Sequence, residues 1–172
     1  GRFELKTRDK AESMEICFVP EGDYRAVVAA HSPDALKPGP IVNTAGEKLG
    51  EHTGVAGFTI GQRRGLGIAA PRALYVVRLE PESNTVVVGE PEELEVERLR
   101  VANLNWIAFD HPPSNLRANV KVRYRLGGDM ATLHVDGGTV EVVFDRPIRG
   151  AAPGQCAVFY DGDEVLGGGW IM

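Results

Sequence analysis

The chain has 172 residues, 43% hydrophobic and 25% charged, with a formal net charge of −5; this is the composition of one ordinary folded domain or two small ones, not of a disordered chain. No run approaches the roughly 18 apolar residues that a membrane helix needs, and the start "GRFELKTRDKAE" is too polar for a signal peptide, so a soluble, cytoplasmic protein without a membrane partner is expected. Two cysteines, Cys17 and Cys156, with no Cys-x-x-Cys or His-x-x-x-His spacing, exclude a disulfide framework and give no metal site.

Twenty-one glycines and 11 prolines scattered along the chain favour many short strands joined by tight turns, a mainly β protein. The charge is uneven. Residues 1–19 hold four cations and four acids, residues 20–97 seven cations and twelve acids, and residues 98–172 eight of each. The acidity peaks in "GEPEELEVE", residues 89–97, which reads as a solvated connection between two folded halves.

In chain order, "GRFELKTRDKAES" has no apolar period and reads as the tail of a preceding domain. "MEICFV" follows as a strand-like run. Pro20-Glu21-Gly22-Asp23 is a turn, and Asp23 can cap a short helix whose Tyr24, Val27 and Val28 fall at i, i+3 and i+4, ending near His31. "GPIVNTAGEKLGEH" supplies two short extended pieces, and "LYVVRLEPESNTVVVGE" two apolar strands joined by a Pro-Glu-Ser-Asn turn. Between them "GVAGFTIGQRRGLGI", residues 54–68, sets two adjacent arginines among five glycines. Strands are predicted at 98–107, 117–126, 131–135, 139–145, 155–160 and 164–171, with Asp136-Gly137 and Asp161-Gly162 as hairpin signals; six short strands suggest a small closed barrel.

Three stretches offer chemistry. In "RANVKVRYR" a period of two puts Arg117, Asn119, Lys121, Arg123 and Arg125 on one strand face and Ala118, Val120, Val122 and Tyr124 on the other. Same-face cations about 6.7 Å apart, twice the strand rise, form either a comb for a phosphate backbone or a solvated face. "GQRRGLG" sets Gln62, Arg63 and Arg64 between glycines, a phosphate-binding loop or a tight structural turn, though not a Walker loop. In "SMEICFV" alternation puts Cys17 on the face opposite Met14, Ile16 and Phe18. Glu12 and Glu15 disfavour a thiolate there while Arg8 and Lys10 favour one, so packing and nucleophilic roles both stay open. Cys156 reads as a small apolar filler.

Taken together, "ESMEICFVPEGDYR", "PGPIVNTAGEKLGEHTGVAGFTIGQRRGLGI", "LYVVRLEPESNTVVVG", "VKVRYR" and "PGQCAVFYDGDEVLGGGWI" resemble, in order, the C-terminal portion of the bacterial-type tRNA-specific 2-thiouridylases. The resemblance implies a tRNA-uridine 2-sulfurtransferase that acts on the wobble uridine of tRNAs for Lys, Glu and Gln. An N-terminal PP-loop domain using ATP with Mg adenylates the uracil oxygen, and a cysteine persulfide, charged by a sulfur-donor protein, delivers sulfur to C2. Ser13-Met14-Glu15-Ile16-Cys17-Phe18 matches the motif whose cysteine carries the persulfide, so the resemblance makes Cys17 catalytic. A second cysteine, in the PP-loop domain, ends in a disulfide with it. Arg123, Tyr124 and Gln155 match tRNA-contacting positions, and Gln62, Arg63, Arg64, Lys121 and Arg125 become candidates for RNA or interdomain contact.

No "S-G-G-x-D-S" phosphate loop occurs in the sequence, so no cofactor site is expected among these residues and the chain by itself should be inactive. The resemblance divides it into a catalytic-domain tail at 1–19, a small central β-rich domain with a short helix at 20–97, and a six-stranded barrel like those of translation factors at 98–172. The competing reading is a stand-alone, non-catalytic RNA-binding β-barrel module in which Cys17 only packs.

Overall fold

The structure, a computed structural model, describes residues 24–123 and 127–172. It opens with the expected helix, α1 (Tyr24–His31), followed by a short 3-10 turn at Pro33–Leu36. The proline that starts this turn cannot extend the helix before it.

Four strands form the first sheet: β1 (Gly39–Asn43), β2 (Lys48–His52), β3 (Tyr75–Glu80) and β4 (Thr85–Gly89), in the order β2-β1-β4-β3. The hairpins β1–β2 and β3–β4 are antiparallel, whereas β1 and β4 pair in parallel with Ile41 opposite Val86. β4, "TVVVG", is buried at every residue; a continuous β-branched run without alternation suits an interior strand covered on both faces. Ile41, Val76, Val86 and Val88 make this core with Val55 and Leu66, which come from the connection between β2 and β3.

A polar knot closes one end of the sheet, where β2 stops and β1 and β4 begin. His52 is only 3% exposed. Its Nε2 lies 3.0 Å from the Asn84 carbonyl oxygen, and its Nδ1 accepts the Gly54 N–H at 3.0 Å, a pairing that a neutral ring with its proton on Nε2 satisfies at both nitrogens. Asn84, at φ +50°, donates its amide to the carbonyls of Lys37 (3.1 Å) and Pro38 (3.0 Å). A Cβ on Gly39 would stand 2.8 Å from both Asn84 Nδ2 and His52 Nε2, so only glycine lets the chain pass.

The acidic connection has structure of its own. Pro91–Leu94 is a 3-10 turn, the Glu90 N–H is donated to Glu93 Oε2 at 2.7 Å, and Leu94 is buried. Its last residues, expected to be solvated linker, already form the next strand.

That strand is β5 (Glu95–Trp106), and β6 (Asn115–Lys121), β7 (Asp129–Asp136), β8 (Thr139–Arg149), β9 (Cys156–Asp161) and β10 (Glu164–Ile171) follow. They form the expected closed six-stranded barrel in the order β10-β5-β8-β7-β6-β9, with all six pairings antiparallel. Gly137 (φ +56°) and Gly162 (φ +55°) take the first loop position of the β7–β8 and β9–β10 hairpins, where a two-residue turn needs positive φ. β8 runs past its expected end, through Pro147. The β5 register jumps there from Val143 opposite Arg98 to Ile148 opposite Val96, and at such a bulge the missing proline N–H breaks no ladder bond.

Alternation sends Val101, Ala118, Val120, Ala131, Leu133, Val140, Val142, Ala157 and Phe159 into the barrel, each at most 2% exposed. Phe159 is the largest fully buried side chain, with the Trp106 ring 5.6 Å from it between centroids. Replacing Phe159 with Ala should lower barrel stability by about 3–5 kcal/mol through lost transfer energy and the cavity left behind; urea-unfolding midpoints measure this.

Candidate nucleic-acid interface

The expected comb on β6 has the right faces and the wrong neighbours. Ala118 and Val120 point inward while Arg117, Asn119 and Lys121 point outward, but the strand ends at Lys121 instead of running to residue 126. Arg117 clamps Asp145 on β8 through Nη1–Oδ1 at 2.7 Å and Nη2–Oδ2 at 2.6 Å, and also donates to Thr132 Oγ1 on β7 at 3.0 Å. Lys121 sits over the Tyr160 ring, 4.7 Å from its centroid.

Other barrel cations are matched in the same way. Arg146 meets Asp129 at 3.0 Å, Arg149 meets Glu95 at 2.6 Å, and Arg98 meets Glu141 at 3.6 Å. Exposed pairs of this kind contribute little to stability. They nonetheless cancel the local field, so the barrel face is a charge-matched lattice and not a free row of cations.

Arg123 departs from that face altogether. Beyond β6 the chain bends, and Arg123, half-buried, donates from Nη2 to the Ile60 carbonyl at 3.1 Å. Its Nε is buried without a hydrogen-bond partner. Two glycines at positive φ flank it: a Cβ on Gly150 (φ +91°) would come within 2.8 Å of its Cζ, and one on Gly61 (φ +84°) within 3.4 Å of Nη2. A bulky guanidinium therefore sits in a seat made by missing side chains, between the barrel and the glycine-rich loop. Sequence reading singled out Arg123 but not Ile60 or Gly150, because a carbonyl acceptor has no residue signature and Gly150 follows an ordinary strand end.

The loop at the other end of this contact is held from within. Gly61 N donates to Val76 O at 2.8 Å and Val76 N to Gln62 O at 2.9 Å. The Gln62 side chain accepts from Thr59 N at 3.0 Å and donates to Arg64 O at 2.9 Å, so Gln62 braces the turn. Leu66 is buried in the sheet core. Arg63 and Arg64 remain exposed at the tip, and Arg63 lines a cleft of about 400 Å³ with Gly67, Pro71 and Arg72; Arg72 is paired with Glu90 at 3.2 Å.

Gln155 lies in the turn before β9, half-buried, with its Oε1 accepting the Ala152 N–H at 3.2 Å and its backbone carbonyl accepting from Ile171 N at 2.8 Å. Cys156 corrects the expectation of a packed filler: it is a free, exposed thiol, because Ala157 and Phe159 take the inward positions of β9. Cys17, Tyr124 and Arg125 lie outside the described residues. Among the described residues no group of three or more His, Cys, Asp or Glu is placed to hold a metal ion, and no helix is long and apolar enough to cross a membrane.

The hydrogen bonds from Arg117 hold the Asp145 carboxyl below the usual carboxylate range. A depressed carboxylate contributes stability that is present above its unfolded value of about 3.9 and lost as pH falls through the lower folded value. Asp145→Asn should therefore melt below the parent at about pH 7, and the gap should close as pH falls below the usual carboxylate range; paired thermal melts at neutral and acid pH check it.

Two family models match the chain. One, described as a tRNA methyl transferase PRC-barrel domain, covers residues 25–90, and one described as an aminomethyltransferase beta-barrel domain covers residues 96–171. Curated proteins named tRNA-specific 2-thiouridylase MnmA match 99% of the chain: that of Paramagnetospirillum magneticum at 48% identity, that of Syntrophotalea carbinolica at 47% and that of Moorella thermoacetica at 45%. The match takes in 46% of the first relative and 48% of each of the other two, so the chain spans about half the length of the curated relatives it matches. With both of its folded units matched in order, the chain belongs to the tRNA 2-thiouridylase family.

Proposed function

We propose that this chain is the sulfur-carrying and tRNA-holding half of a tRNA-uridine 2-sulfurtransferase that thiolates C2 of the wobble uridine in tRNAs for Lys, Glu and Gln, in the cytoplasm. The observation that carries this reading is the match of 99% of the chain to curated 2-thiouridylases at 43–48% identity. In this reading residues 1–19 belong to the catalytic domain, 20–97 form the central domain and 98–172 the barrel domain.

Cys17, within Ser13-Met14-Glu15-Ile16-Cys17-Phe18, matches the cysteine that carries the persulfide in the family's motif. A persulfide on Cys17, supplied by a donor protein, is a softer and more acidic nucleophile than a thiol, suited to attack at an activated carbonyl carbon. Its terminal sulfur bonds to C2 as the adenylated oxygen leaves with AMP. The thiolate of a second cysteine, from the PP-loop domain, then attacks the Cys17 sulfur and breaks the S–S bond, leaving the outer sulfur on C2 and Cys17 in a disulfide.

ATP does not fit the residues of this chain. The sequence has no phosphate loop of the PP-loop type, so activation of the uridine is assigned to the PP-loop domain. The work of the present residues is to hold RNA and carry sulfur. Arg123, Tyr124 and Gln155, which match the family's tRNA-contacting positions, and Arg63 and Arg64, exposed at the loop tip, are the residues offered to the tRNA.

Cys17→Ser in the intact enzyme should abolish wobble 2-thiouridine in a strain lacking its own copy of the gene, read by nucleoside mass spectrometry. Normal thiolation would overturn the catalytic role and favour a non-catalytic RNA-binding module.

A further inference from the structure

We propose that the outer face of β9 and β10 is a stacking site for one unpaired base of the tRNA, with the Trp170 indole as its platform and Lys121 as the cation for the neighbouring phosphate. The proposal rests on the tRNA-holding role set out above and adds to it a subsite for a base.

The pairing registers bring these groups together. Lys121 on β6, Val158 on β9, Gly168 on β10 and Asn105 on β5 stand in one row across the sheet. Cys156 and Trp170 pair in the row on one side of it, Asn119 and Tyr160 in the row on the other. Alternation turns these positions outward, since Ala157 and Phe159 take the inward places of β9 and Gly169 and Ile171 those of β10.

Trp170 is 53% exposed and Ile107 66%, and with Val158 and Val165 they line a cleft of about 240 Å³. Gly168 lines it too, and a Cβ there would stand 2.5 Å from the Ala157 carbonyl oxygen, so no side chain can occupy the space beside the indole. Asn105 adds an amide to the cleft, and no charged side chain among the described residues lines it. The volume is below the roughly 300–1,000 Å³ of sites for whole small ligands. It suits one flat ring stacked on the indole, with an amide to meet the polar atoms of that ring.

The charges around the cleft favour RNA. Arg98, Arg117, Arg146 and Arg149 are matched to acids, whereas Lys121 lies over the Tyr160 ring and no carboxylate among the described residues pairs with it. An ammonium held by a ring face keeps its hydrogen-bond donors for a phosphate. Two strand spacings, about 10 Å, separate Lys121 from β10, a gap that a lysine side chain and one nucleotide bridge together. The acids of the β9–β10 turn, Asp161, Asp163 and Glu164, lie at the far end of both strands. Glu164 precedes Trp170 by six residues, about 20 Å of strand, which is beyond the roughly 8–10 Å screening length of salt.

The face also continues the surface already offered to the tRNA. The Gln155 turn is laced to Ile171, next to Trp170, by Ile171 N donating to Gln155 O and Gly154 N donating to Ile171 O, each at 2.8 Å. Arg123 and Tyr124 follow Lys121 by two and three residues. Trp170, Gln155 and the end of β6 thus share one end of the barrel, and a single strand of RNA held there meets the indole without leaving the surface.

Binding of a tRNA-Glu transcript to the intact enzyme tests this. Trp170→Ala should weaken binding about tenfold, as loss of one stacked base does, without changing the slope of log K against log salt. Trp170→Phe, which keeps a ring, should lose less than about threefold, and Trp170→Leu, apolar but without a ring, as much as Trp170→Ala. Lys121→Ala should make the salt slope shallower by about 0.7. In the unaltered enzyme, alkylation of Cys156, the exposed thiol opposite Trp170, should slow several-fold under saturating transcript, read by peptide mass mapping.

Full affinity in Trp170→Ala would overturn the proposal; altered sedimentation of that variant would then give the face to a second copy, and a lowered melting temperature to another part of the same chain. Equal losses in Trp170→Phe and Trp170→Ala, or Cys156 alkylation as fast with the transcript as without it, would also overturn it. An unchanged salt slope in Lys121→Ala would overturn the phosphate contact. Failure of the unaltered enzyme to bind the transcript would instead remove the tRNA-holding role on which the proposal stands.

Discussion

Closure of a six-stranded barrel is the constraint from which the rest follows. Six strands enclose a narrow interior, and the residues filling it are graded to suit: Ala118, Ala131 and Ala157 where strands approach closely, valines and Leu133 around them, and one large ring, Phe159. With all six pairings made, no strand edge is left to recruit another chain. Strict inward and outward alternation then dictates what the surface can be. The outward positions of β6 are polar, and cations on β6 and β8 meet acids across the sheet: Arg117 reaches past β7 to Asp145 on β8, and Arg146 on β8 meets Asp129 on β7.

That pairing explains why residues 98–172, with equal numbers of cations and acids, build a barrel whose outer face is charge-matched and not basic. Acids on other strands neutralise Arg98, Arg117, Arg146 and Arg149, and exposed pairs contribute little to stability. Their larger effect is on recognition. Charge-matched faces repel nothing and attract little, so a polyanion is directed to the few places where cations are left over, of which the tip of the 59–67 loop is one.

Much of this was legible in the sequence, and what was not has a physical reason. The barrel strands were readable because alternation and Gly-containing turns are local: β10 falls on the expected residues, and both Asp-Gly signals mark hairpins. The end of β6 was not, because "RANVKVRYR" keeps its period past the point where tertiary contact bends the chain toward Ile60. Cys156 was misjudged because cysteine is usually buried, and only the phase of β9 shows which residue is outermost. For the candidate site, the residue types were readable and the partners were not. Arg117 gives no sign of Asp145, nor Arg123 of a backbone carbonyl 63 residues away.

The parallel pairing of β1 with β4 bears on the order in which the molecule assembles. Hairpins such as β3–β4, β7–β8 and β9–β10 join near neighbours in sequence and form quickly, whereas Ile41 must wait for Val86, and Val101 for Ile171, before the sheet and the barrel are complete. The Arg123–Ile60 bond spans both units, so it can be made only when each has settled. It is therefore a mark of completed assembly: a chain whose sheet or barrel is still open lacks this contact between the two.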